Sequence, residues 1–503
     1  MEKHTEQELT RRESLRELIS LGINPYPAEE FVTNTTASEI KDHFSESKKN
    51  FQQITIAGRM MSRRIMGKAS FFEIKDSTGR IQAYINRDEI CPTEDKTLYN
   101  KVFKKHLDIG DILGLSGEVF KTKVGEVSVR VKKITLLSKA LKPLPIVKTD
   151  SDGVTHDAFK NTELRYRQRA LDLIVNDESW CVFETRTKIF NTIRKRLNKE
   201  GYMEVETPIL QPIAGGAAAR PFITHHNTLD IPLFLRIANE LYLKRLIVGG
   251  KTGVYEFAKD FRNEGMDRTH NPEFTMLELY VAYKDYNWMM VFIEGLFQEI
   301  AQEVFGSTKT SYNQKVINFK GPYKRIPFFD AIKKETGDDI SKMTEKELLV
   351  YCKSKKIETH KSMGRGKLFD AVFSTFCEEK LIQPTYITDY PIEMSPLTKK
   401  HRETEGLTER FELFINGKEI ANAYSEQNNP IEQRKSFEEQ VKLAERGDDE
   451  AMLIDNRFLS AMEYGMPPTS GIGIGMDRLT MLFTNKTSIQ DVLFFPQMKP
   501  ERT

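Results

Sequence analysis

The segment VYEFAKDFRNEGMDRTHNPEFTMLELYVAY (Val254–Tyr283) decides the fold. It reads as a strand, a polar loop and a returning strand, and alternation along each strand should place every second side chain on one face. Buried charges are costly unless they are paired, so a face with carboxylates, a cation and an aromatic ring should meet a polar ligand. An exposed face with scattered salt bridges is the alternative. The side chains predicted to share this face are Arg262, Glu264, Phe274, Met276, Glu278 and Tyr280.

A second telling stretch is GIGIGMDRLTMLFTN (Gly471–Asn485) near the end of the chain. Alternating glycine and isoleucine predicts a strand against which a flat ligand can lie, because glycine leaves the backbone open. Arg478 begins the helix that follows, and a planar guanidinium suits both ring stacking and phosphate pairing. By itself the pattern would equally fit a glycine-rich strand–turn–helix of any α/β protein.

The composition describes a globular chain without membrane or export signals. With 503 residues, 39% of them hydrophobic and 29% charged, we expect about three domains. Apolar runs fall short of the roughly 20 residues of a membrane span, and the charged N-terminal stretch lacks the apolar core of a signal peptide. Four cysteines without a CxxC pair argue against a zinc site or disulfides. We therefore predict a cytoplasmic protein without a membrane partner.

Charge is distributed unevenly along the chain. Residues 54–139 hold 17 Lys and Arg against 10 Asp and Glu, a charge of +7 within an overall +2, which leaves −5 for the rest. A basic module on an acidic body indicates a polyanionic partner. An uneven but merely solvated surface is the alternative.

The first part of the chain predicts a helix followed by a barrel. Residues 7–22 read as an amphipathic helix with Leu9, Leu15, Leu18 and Ile19 on one side. Five short strands follow between residues 54 and 138, with a helix over 97–107 after the third. That order is typical of an OB-fold, a frequent binder of single-stranded nucleic acid.

The remainder predicts an α+β domain. A proline-containing linker at 139–147 precedes a mixture of long helices and antiparallel-looking strands over 161–495, and no βαβ repeat is evident. We predict an N-terminal helical segment over 1–50, the OB-fold domain over 51–147 and a catalytic domain over 148–503. Residues 330–382 look helical throughout and read as an insertion.

Three motifs carry a family resemblance. YMEVETP, FRNEG with HNPEF, and GIGIGMDRL resemble motifs 1, 2 and 3 of class II aminoacyl-tRNA synthetases. MMSRRIMGKASF, GGAAARPFITHHN, RIANELYLKRL and EYGMPPTSGIGIGMDR resemble the bacterial-type lysyl-tRNA synthetase family from about residue 7 to the end. The resemblance implies an antiparallel β-sheet flanked by helices, preceded by a five-stranded OB-fold barrel.

The resemblance also implies a two-step reaction. L-lysine and ATP would give lysyl-adenylate, and the lysyl group would then pass to the 3'-terminal ribose of tRNA(Lys). Catalysis would rest on positioning and charge stabilisation. Arg262 would grip the α-phosphate and the lysine carboxylate, while Arg478 would lie over the adenine and reach the γ-phosphate, with Phe274 on the opposite face. The other residues implied at the ATP site are Glu264, His270 (also catalytic), Asn271 and Gly475.

The segment RFELFINGKEIANAYSE (Arg410–Glu426) predicts a tight hairpin that carries two carboxylates. Glu412 and Glu419 flank Asn416–Gly417 and would repel each other if they were paired. A hard dication with a preference for oxygen relieves this repulsion, which suits Mg²⁺. The resemblance likewise implies that Glu412 and Glu419 bind Mg²⁺ with ATP; a plain surface hairpin is the alternative.

An acid-rich lining favours lysine over aspartate as the substrate. The resemblance implies that Glu240 and the Gly216 carbonyl hold the α-amino group, that Glu278, Tyr280 and Glu426 surround the ε-ammonium, and that Asn422 contacts the carboxylate. Tyr424 completes the lysine site. The family often has Pro at the position of Asn239 and Gly-Asn-Gly-Phe at 421–424, so the extra methyl groups of Ala421 and Ala423 could narrow the pocket.

In the barrel, one phase of the second strand should leave Phe71 outside among basic residues. An exposed aromatic ring there is a stacking platform for a base, and Gln82 beside Arg80 could bind a pyrimidine edge. The resemblance assigns Phe71, Arg80 and Gln82 to the uridine-rich anticodon; a core role for Phe71 is the alternative. The resemblance further implies a homodimer with Pro208 near its two-fold axis.

Two rival functions remain to be weighed. A protein-lysylating relative would lack the OB-fold, and a non-catalytic tRNA-binding protein would have lost the motif residues, whereas both are in place here. Synthesis of dinucleoside polyphosphates, in which ATP attacks the adenylate, is a hypothesis for a side activity.

Overall fold

A computed structural model describes residues 4–145, 148–149, 155–156, 159–217, 219–360, 363–446 and 452–501. The chain forms two compact units, Met1–Asn161 and Thr162–Thr503. The predicted domain boundary at residue 147 lies outside the described residues. No helix in the described ranges is long and apolar enough to cross a membrane.

In the first unit, five strands close a barrel in the order β1-β2-β3-β5-β4, with β3 and β5 parallel. Alternate residues of β2 and β3 are buried, among them Phe72 and Ile81, and they fill the barrel as period-2 packing requires. The five predicted strands and their order are confirmed. Their bounds are β1 Ile54–Met66, β2 Ala69–Lys75, β3 Arg80–Asn86, β4 Ile112–Lys121 and β5 Val127–Ser138; a two-stranded ribbon, β6 Lys148–Thr149 and β7 Thr155–His156, follows.

Helices of this unit lie before β1 and between β3 and β4. The predicted helix over 97–107 is present as a π-helix, Leu98–His106. The predicted apolar face of the N-terminal helix is wrong, because its buried residues are Arg11, Ser14 and Leu18, while Leu9 and Ile19 are exposed. Arg11 donates to the carbonyls of Ala140 and Ile109, so a polar anchor replaces part of the apolar stripe. The α-helices are α1 Glu6–Ser20, α2 Ala37–His43 and α3 Arg87–Ile90.

The second unit is built on an eight-stranded sheet in the order β16-β17-β18-β19-β20-β13-β12-β8. Within this sheet, only the pairs β16–β17 and β12–β8 are parallel among the described strands, so the predicted antiparallel character is confirmed. The strands are β8 Met203–Glu204, β9 Leu210–Gln211, β10 Ile223–His226, β11 Ile231–Leu235, β12 Gly253–Phe261, β13 Glu273–Ala282, β14 Lys309–Tyr312, β15 Lys315–Asn318, β16 Lys324–Pro327, β17 Thr385–Thr388, β18 Arg410–Ile415, β19 Lys418–Ser425 and β20 Thr469–Gly475.

Helices cover one face of this sheet. Leu277 and Leu279 of β13 and Ile472 and Ile474 of β20 pack into one core with two long helices, α6 and α8. The helices of the unit are α4 Thr162–Arg167, α5 Arg169–Val175, α6 Asp177–Lys199, α7 Glu240–Val248, α8 Tyr286–Phe305, α9 Phe328–Thr336, α10 Glu345–Ser354, α11 Arg365–Phe376, α12 Pro430–Glu445, α13 Asn456–Glu463 and α14 Met476–Phe483.

Two local predictions are wrong. The segment 330–382 is not helical throughout, because turns separate α9, α10 and α11 and a 3₁₀ turn, Glu378–Lys380, follows; residues 361 and 362 lie outside the described part. The strand that carries motif 2 ends at Phe261, so Arg262 and Glu264 lie in the loop beyond it rather than alternating on the strand.

Candidate active site

The face of the sheet opposite the helices lines a cavity of about 1010 Å³. Phe274, Met276, Glu278 and Tyr280 of β13 all contribute to its wall, so the shared face that alternation predicts is present. The cavity brings together most of the residues singled out from the sequence: Gly216, Glu240, Arg262, Glu264, His270, Asn271, Phe274, Glu278, Tyr280, Glu412, Glu419, Asn422, Tyr424, Gly475 and Arg478.

Two arginines occupy one end of the cavity. The Arg262 guanidinium lies 5.1 Å from the centre of the Phe274 ring, and its Nε, although buried, has no hydrogen-bond partner among the described residues. The Nη1 of Arg478 donates to the carbonyl of Glu419 at 3.0 Å, and its Nη2 lies 3.1 Å from the Nε2 of His270. A buried donor without a partner is costly, so this end of the cavity is suited to an anionic ligand.

The predicted pairing of the two hairpin carboxylates is wrong in register. The two-residue turn at Asn416–Gly417 already sets Glu419 opposite Phe414, and a bulge between Leu413 and Phe414 then sets Glu412 opposite Asn422. Both carboxylates still line the cavity. The hairpin therefore offsets the two acids along neighbouring strands instead of facing them.

The surroundings of Glu412 make its ionised form unfavourable. Its Oε1 accepts from Arg410 at 2.5 Å and its Oε2 from the Tyr390 hydroxyl at 2.8 Å. Burial raises the pKa of Glu412 to about 8, an effect that Arg410 opposes and Glu419 increases. Arg410, which also donates to Asn422, was not singled out from the sequence, although it begins the hairpin motif. A cation placed between Glu412 and Glu419 would lower that pKa.

Acidic groups line the other end of the cavity. The Tyr424 hydroxyl donates to Glu240 Oε1 at 2.6 Å, and the Tyr280 hydroxyl donates to Glu278 Oε2 at 2.9 Å. Burial raises the pKa of Glu278 well above its ordinary range, and the nearby Glu240 adds to the effect. Glu278 has no ion pair among the described residues, so it favours a cationic ligand.

Glu426 differs from the other acids because it does not line the cavity. It is fully buried and forms an ion pair with Lys244, whose side chain is also fully buried. Lys244 lies one helical turn after Glu240 and pairs with it at 2.5 Å. The sequence reading did not identify Lys244, although the i, i+4 spacing from Glu240 was a usable signal.

Two glycines of β20 leave room for acidic side chains of the site. A Cβ on Gly471 would lie 2.1 Å from Glu426 Oε1 and 2.4 Å from the Tyr280 ring. A Cβ on Gly473 would lie 2.5 Å from Glu278 Oε1, whereas at Gly475 the nearest atoms are 3.8 Å away. The space beside Gly471 and Gly473 is thus filled by acidic side chains, whereas a Cβ at Gly475 would make only ordinary van der Waals contacts.

The departures from the family pattern lie mostly behind the site. Ala423 is buried in the core on the helix side of the sheet, so its methyl group does not narrow the pocket. Ala421 belongs to the same core and also touches the cavity. Asn239 donates from Nδ2 to Glu256 at 2.7 Å, in a buried network that Arg236 joins.

The barrel presents an aromatic surface. Phe71 is half-buried and its ring lies 5.1 Å from that of Tyr84, which in turn lies 6.0 Å from Phe120. Gln82 donates to the Ser128 hydroxyl at 2.7 Å, and Arg80 is exposed. The neighbouring Phe72, only 1% exposed, is the core residue of this pair.

Pro208 is exposed in the second unit, next to exposed apolar side chains. Ile209 is 43% exposed, Leu210 48%, and Ile223 on β10 68%.

Comparison with known families explains this arrangement. The family described as "tRNA synthetases class II (D, K and N)" matches residues 161–499, and "OB-fold nucleic acid binding domain" matches residues 54–137. The chain belongs to the class II tRNA synthetase family. The predicted combination of an OB-fold with a class II domain is confirmed.

Three similar proteins are each named "Lysine--tRNA ligase". The relative from Christiangramia forsetii is 62% identical over 502 residues, covering 100% of this chain and 88% of that protein. The relative from Porphyromonas gingivalis is 60% identical over 499 residues, covering 99% and 86%. The relative from Azobacteroides pseudotrichonymphae is 59% identical over 498 residues, covering 99% of both chains.

Proposed function

We propose that this chain is a lysine–tRNA ligase, which forms lysyl-adenylate from L-lysine and ATP and transfers lysine to the 3'-terminal ribose of tRNA(Lys). The observation that carries the proposal is the polarity of the cavity. Unpaired arginine nitrogen lies at one end and buried carboxylates lie at the other. Lysine needs acids for its two ammonium groups, and ATP needs cations and an aromatic platform.

The roles of individual residues follow from their places in the cavity. Arg262 would bind the α-phosphate and the lysine carboxylate, and Arg478 would stack on adenine opposite Phe274 and reach the γ-phosphate. His270, Asn271, Glu264 and Gly475 would complete the ATP site. In the lysine site, Gly216 and Glu240 would bind the α-amino group, Asn422 the carboxylate, and Glu278, Tyr280, Tyr424 and Glu426 the side-chain end.

We further propose that Mg²⁺ binds with ATP at Glu412 and Glu419. Both carboxylates line the cavity, and burial raises the pKa of Glu412 to about 8 although Arg410 acts against the rise. Mg²⁺ prefers carboxylate oxygens supplemented by substrate phosphates. Bound there, the ion would neutralise charge on the phosphate oxygens. Within the described residues no set of three or more His, Cys, Asp or Glu is placed to hold a metal, so the phosphates would supply the remaining ligands.

Exchange of pyrophosphate into ATP tests the proposal directly. We expect strong exchange with lysine and background exchange with the other nineteen amino acids, because only lysine and arginine present two cations and the guanidinium of arginine is a planar fork rather than a compact ammonium. Measurement uses labelled pyrophosphate and each amino acid in turn. Strong exchange with a different amino acid, or none with lysine, would contradict the function.

We propose that the barrel binds the anticodon through Phe71, Arg80 and Gln82. Support comes from the half-buried Phe71 ring beside Tyr84, since aromatic platforms stack bases without needing sequence-specific contacts. Gln82, already bonded to Ser128, would exchange that partner for a base edge.

Replacement of Phe71 by alanine should weaken tRNA charging while leaving lysine-dependent exchange intact. Loss of one stacked base costs about 1–3 kcal/mol, which corresponds to a rise of about 5- to 150-fold in the KM for tRNA. Aminoacylation and exchange are measured on the same preparation. Phe72→Ala is the comparison variant, because it removes a core ring and should lower the unfolding temperature. A parallel fall of charging and exchange in Phe71→Ala would assign Phe71 a structural role.

We propose that the chain acts as a cytoplasmic homodimer with Pro208 in the interface. The exposed apolar side chains around Pro208 support an interface there. The described cysteines are unpaired, which suits a reducing compartment. A side activity that forms diadenosine polyphosphates from the adenylate and ATP is consistent with the same site.

A further inference from the structure

We propose that Lys244 is a positioning residue that orients Glu426 for the lysine side chain. One oxygen of Glu426 is held by the protein's own ammonium group, which leaves the other for the substrate. The inference deepens the proposed function and rests on it, because the ligand at this end of the cavity is taken to be lysine.

The two carboxylate oxygens of Glu426 have different surroundings. Oε2 forms the ion pair with Lys244. Neither buried oxygen has a partner in hydrogen-bond geometry among the described residues, and Oε1, which also lacks the ion pair, lies beside Gly471 and the Tyr280 ring, both of which line the cavity. An unpartnered carboxylate oxygen in such a place is costly, and the ammonium of a bound lysine would remove that cost.

Lys244 itself has no route to solvent. Its side chain is fully buried, and its ammonium lies 5.5 Å from the centre of the Tyr424 ring and 6.0 Å from that of Phe458. Burial lowers the pKa of Lys244, but Glu240 and Glu426 outweigh burial and raise it above its ordinary value. The ammonium therefore stays charged between the two acids.

With Lys244 included, the net charge of the buried acids matches the two ammonium groups of lysine. Three buried acids, Glu240, Glu278 and Glu426, would carry −3 when ionised, and Lys244 reduces this to −2; the nearby buried Asp260 pairs with Arg236. The two ammonium groups of lysine supply +2. Without the internal cation, the third negative charge would be unmatched at low dielectric, and one carboxyl group would take up a proton instead.

Replacement of Lys244 by methionine should therefore raise the KM for lysine in pyrophosphate exchange at least tenfold at pH 7.5. The kcat should change less, because the reacting carboxylate lies at the other end of the substrate. The groups that face the pair are Glu240 on α7, Glu278 and Tyr280 on β13, and Tyr424 on β19.

The pH profile separates this role from a packing role. Burial raises the pKa of Glu426 well above its ordinary range, and Lys244 acts against that rise. Without Lys244 the carboxyl group should hold its proton further into the alkaline range, so the ratio of variant to wild-type KM should fall as pH rises from 7 to 9.5. A packing defect would give a ratio that does not change with pH.

Three further variants complete the test. Lys251→Met, at an exposed lysine after α7, should leave the KM unchanged. Lys244→Arg keeps the charge, so whatever its KM, the ratio to wild type should be independent of pH. If Lys244→Met does not fold, Lys244→Gln carries the same prediction. The inference alone is overturned if the wild type is specific for lysine but Lys244→Met and Lys244→Gln have an unaltered KM for lysine, or a KM ratio to wild type that does not change with pH. A wild type without lysine-dependent exchange overturns the proposed function instead.

Discussion

Arg262→Ala should lower kcat/KM for lysine-dependent pyrophosphate exchange by about 10²–10³-fold, because one lost donor to developing negative charge costs about 2.7–4 kcal/mol. Arg262 lies at the end of the cavity that is suited to anions, against the Phe274 ring, with a buried Nε that has no partner among the described residues. In the free protein, the Nε of Arg262 is therefore still available to donate to a ligand. Kinetics of exchange with lysine and ATP varied separately measure the loss.

Two comparison variants sharpen this prediction. Arg262→Lys keeps the charge but loses the planar fork that pairs with phosphate or carboxylate, so its loss should be intermediate. Arg16→Ala removes an exposed arginine of α1 that pairs with Glu13, and exchange should be unchanged. A loss below tenfold in Arg262→Ala would mean that Arg262 does not contact the reacting groups.

Gly471→Ala should reduce kcat/KM for lysine at least about a hundredfold, since the expected cost of disturbing a buried ionic contact is about 3–5 kcal/mol. The new methyl group would lie 2.1 Å from Glu426 Oε1 and 2.4 Å from the Tyr280 ring. Neither side chain can move away easily, because Glu426 forms an ion pair with Lys244 and the Tyr280 hydroxyl donates to Glu278. The KM for ATP should change far less than the KM for lysine.

Gly295→Ala provides the matched control. This glycine lies inside α8, where an added Cβ meets no atom within 4 Å, and alanine favours a helix by up to about 1 kcal/mol. Activity should be retained and the unfolding temperature should not fall. Equal losses in the KM for ATP and for lysine in Gly471→Ala would place the damage in the sheet as a whole.

Alternation was sufficient to predict the cavity wall. The period of two along β13 placed Phe274, Met276, Glu278 and Tyr280 on one face, and all four line the cavity. It failed in the hairpin Arg410–Glu426, where the two-residue turn already sets Glu419 opposite Phe414 and the bulge after Leu413 then sets Glu412 opposite Asn422; a bulge leaves no clear mark in sequence.

The prediction of an apolar face on the N-terminal helix was wrong for a different reason. Its leucine spacing predicted an apolar stripe, but Arg11 reaches two backbone carbonyls that are 98 and 129 residues away in sequence. Periodicity describes a helix alone and does not include distant hydrogen-bond acceptors.

By itself, the sequence determined the α+β class, the barrel and the order of motifs, because these depend on local period and on residue types at short spacing. Only the tertiary structure decided how charge is shared within the site. Lys244 and Glu426 are 182 positions apart, and their pairing fixes which carboxylate oxygen remains for a ligand. The same holds for the glycines of β20: the sequence indicated room beside the strand, and the fold decided that Glu426 and Glu278 fill part of it. Burial, which sets both the pKa values and the cost of an unpaired charge, arises only when distant segments pack together.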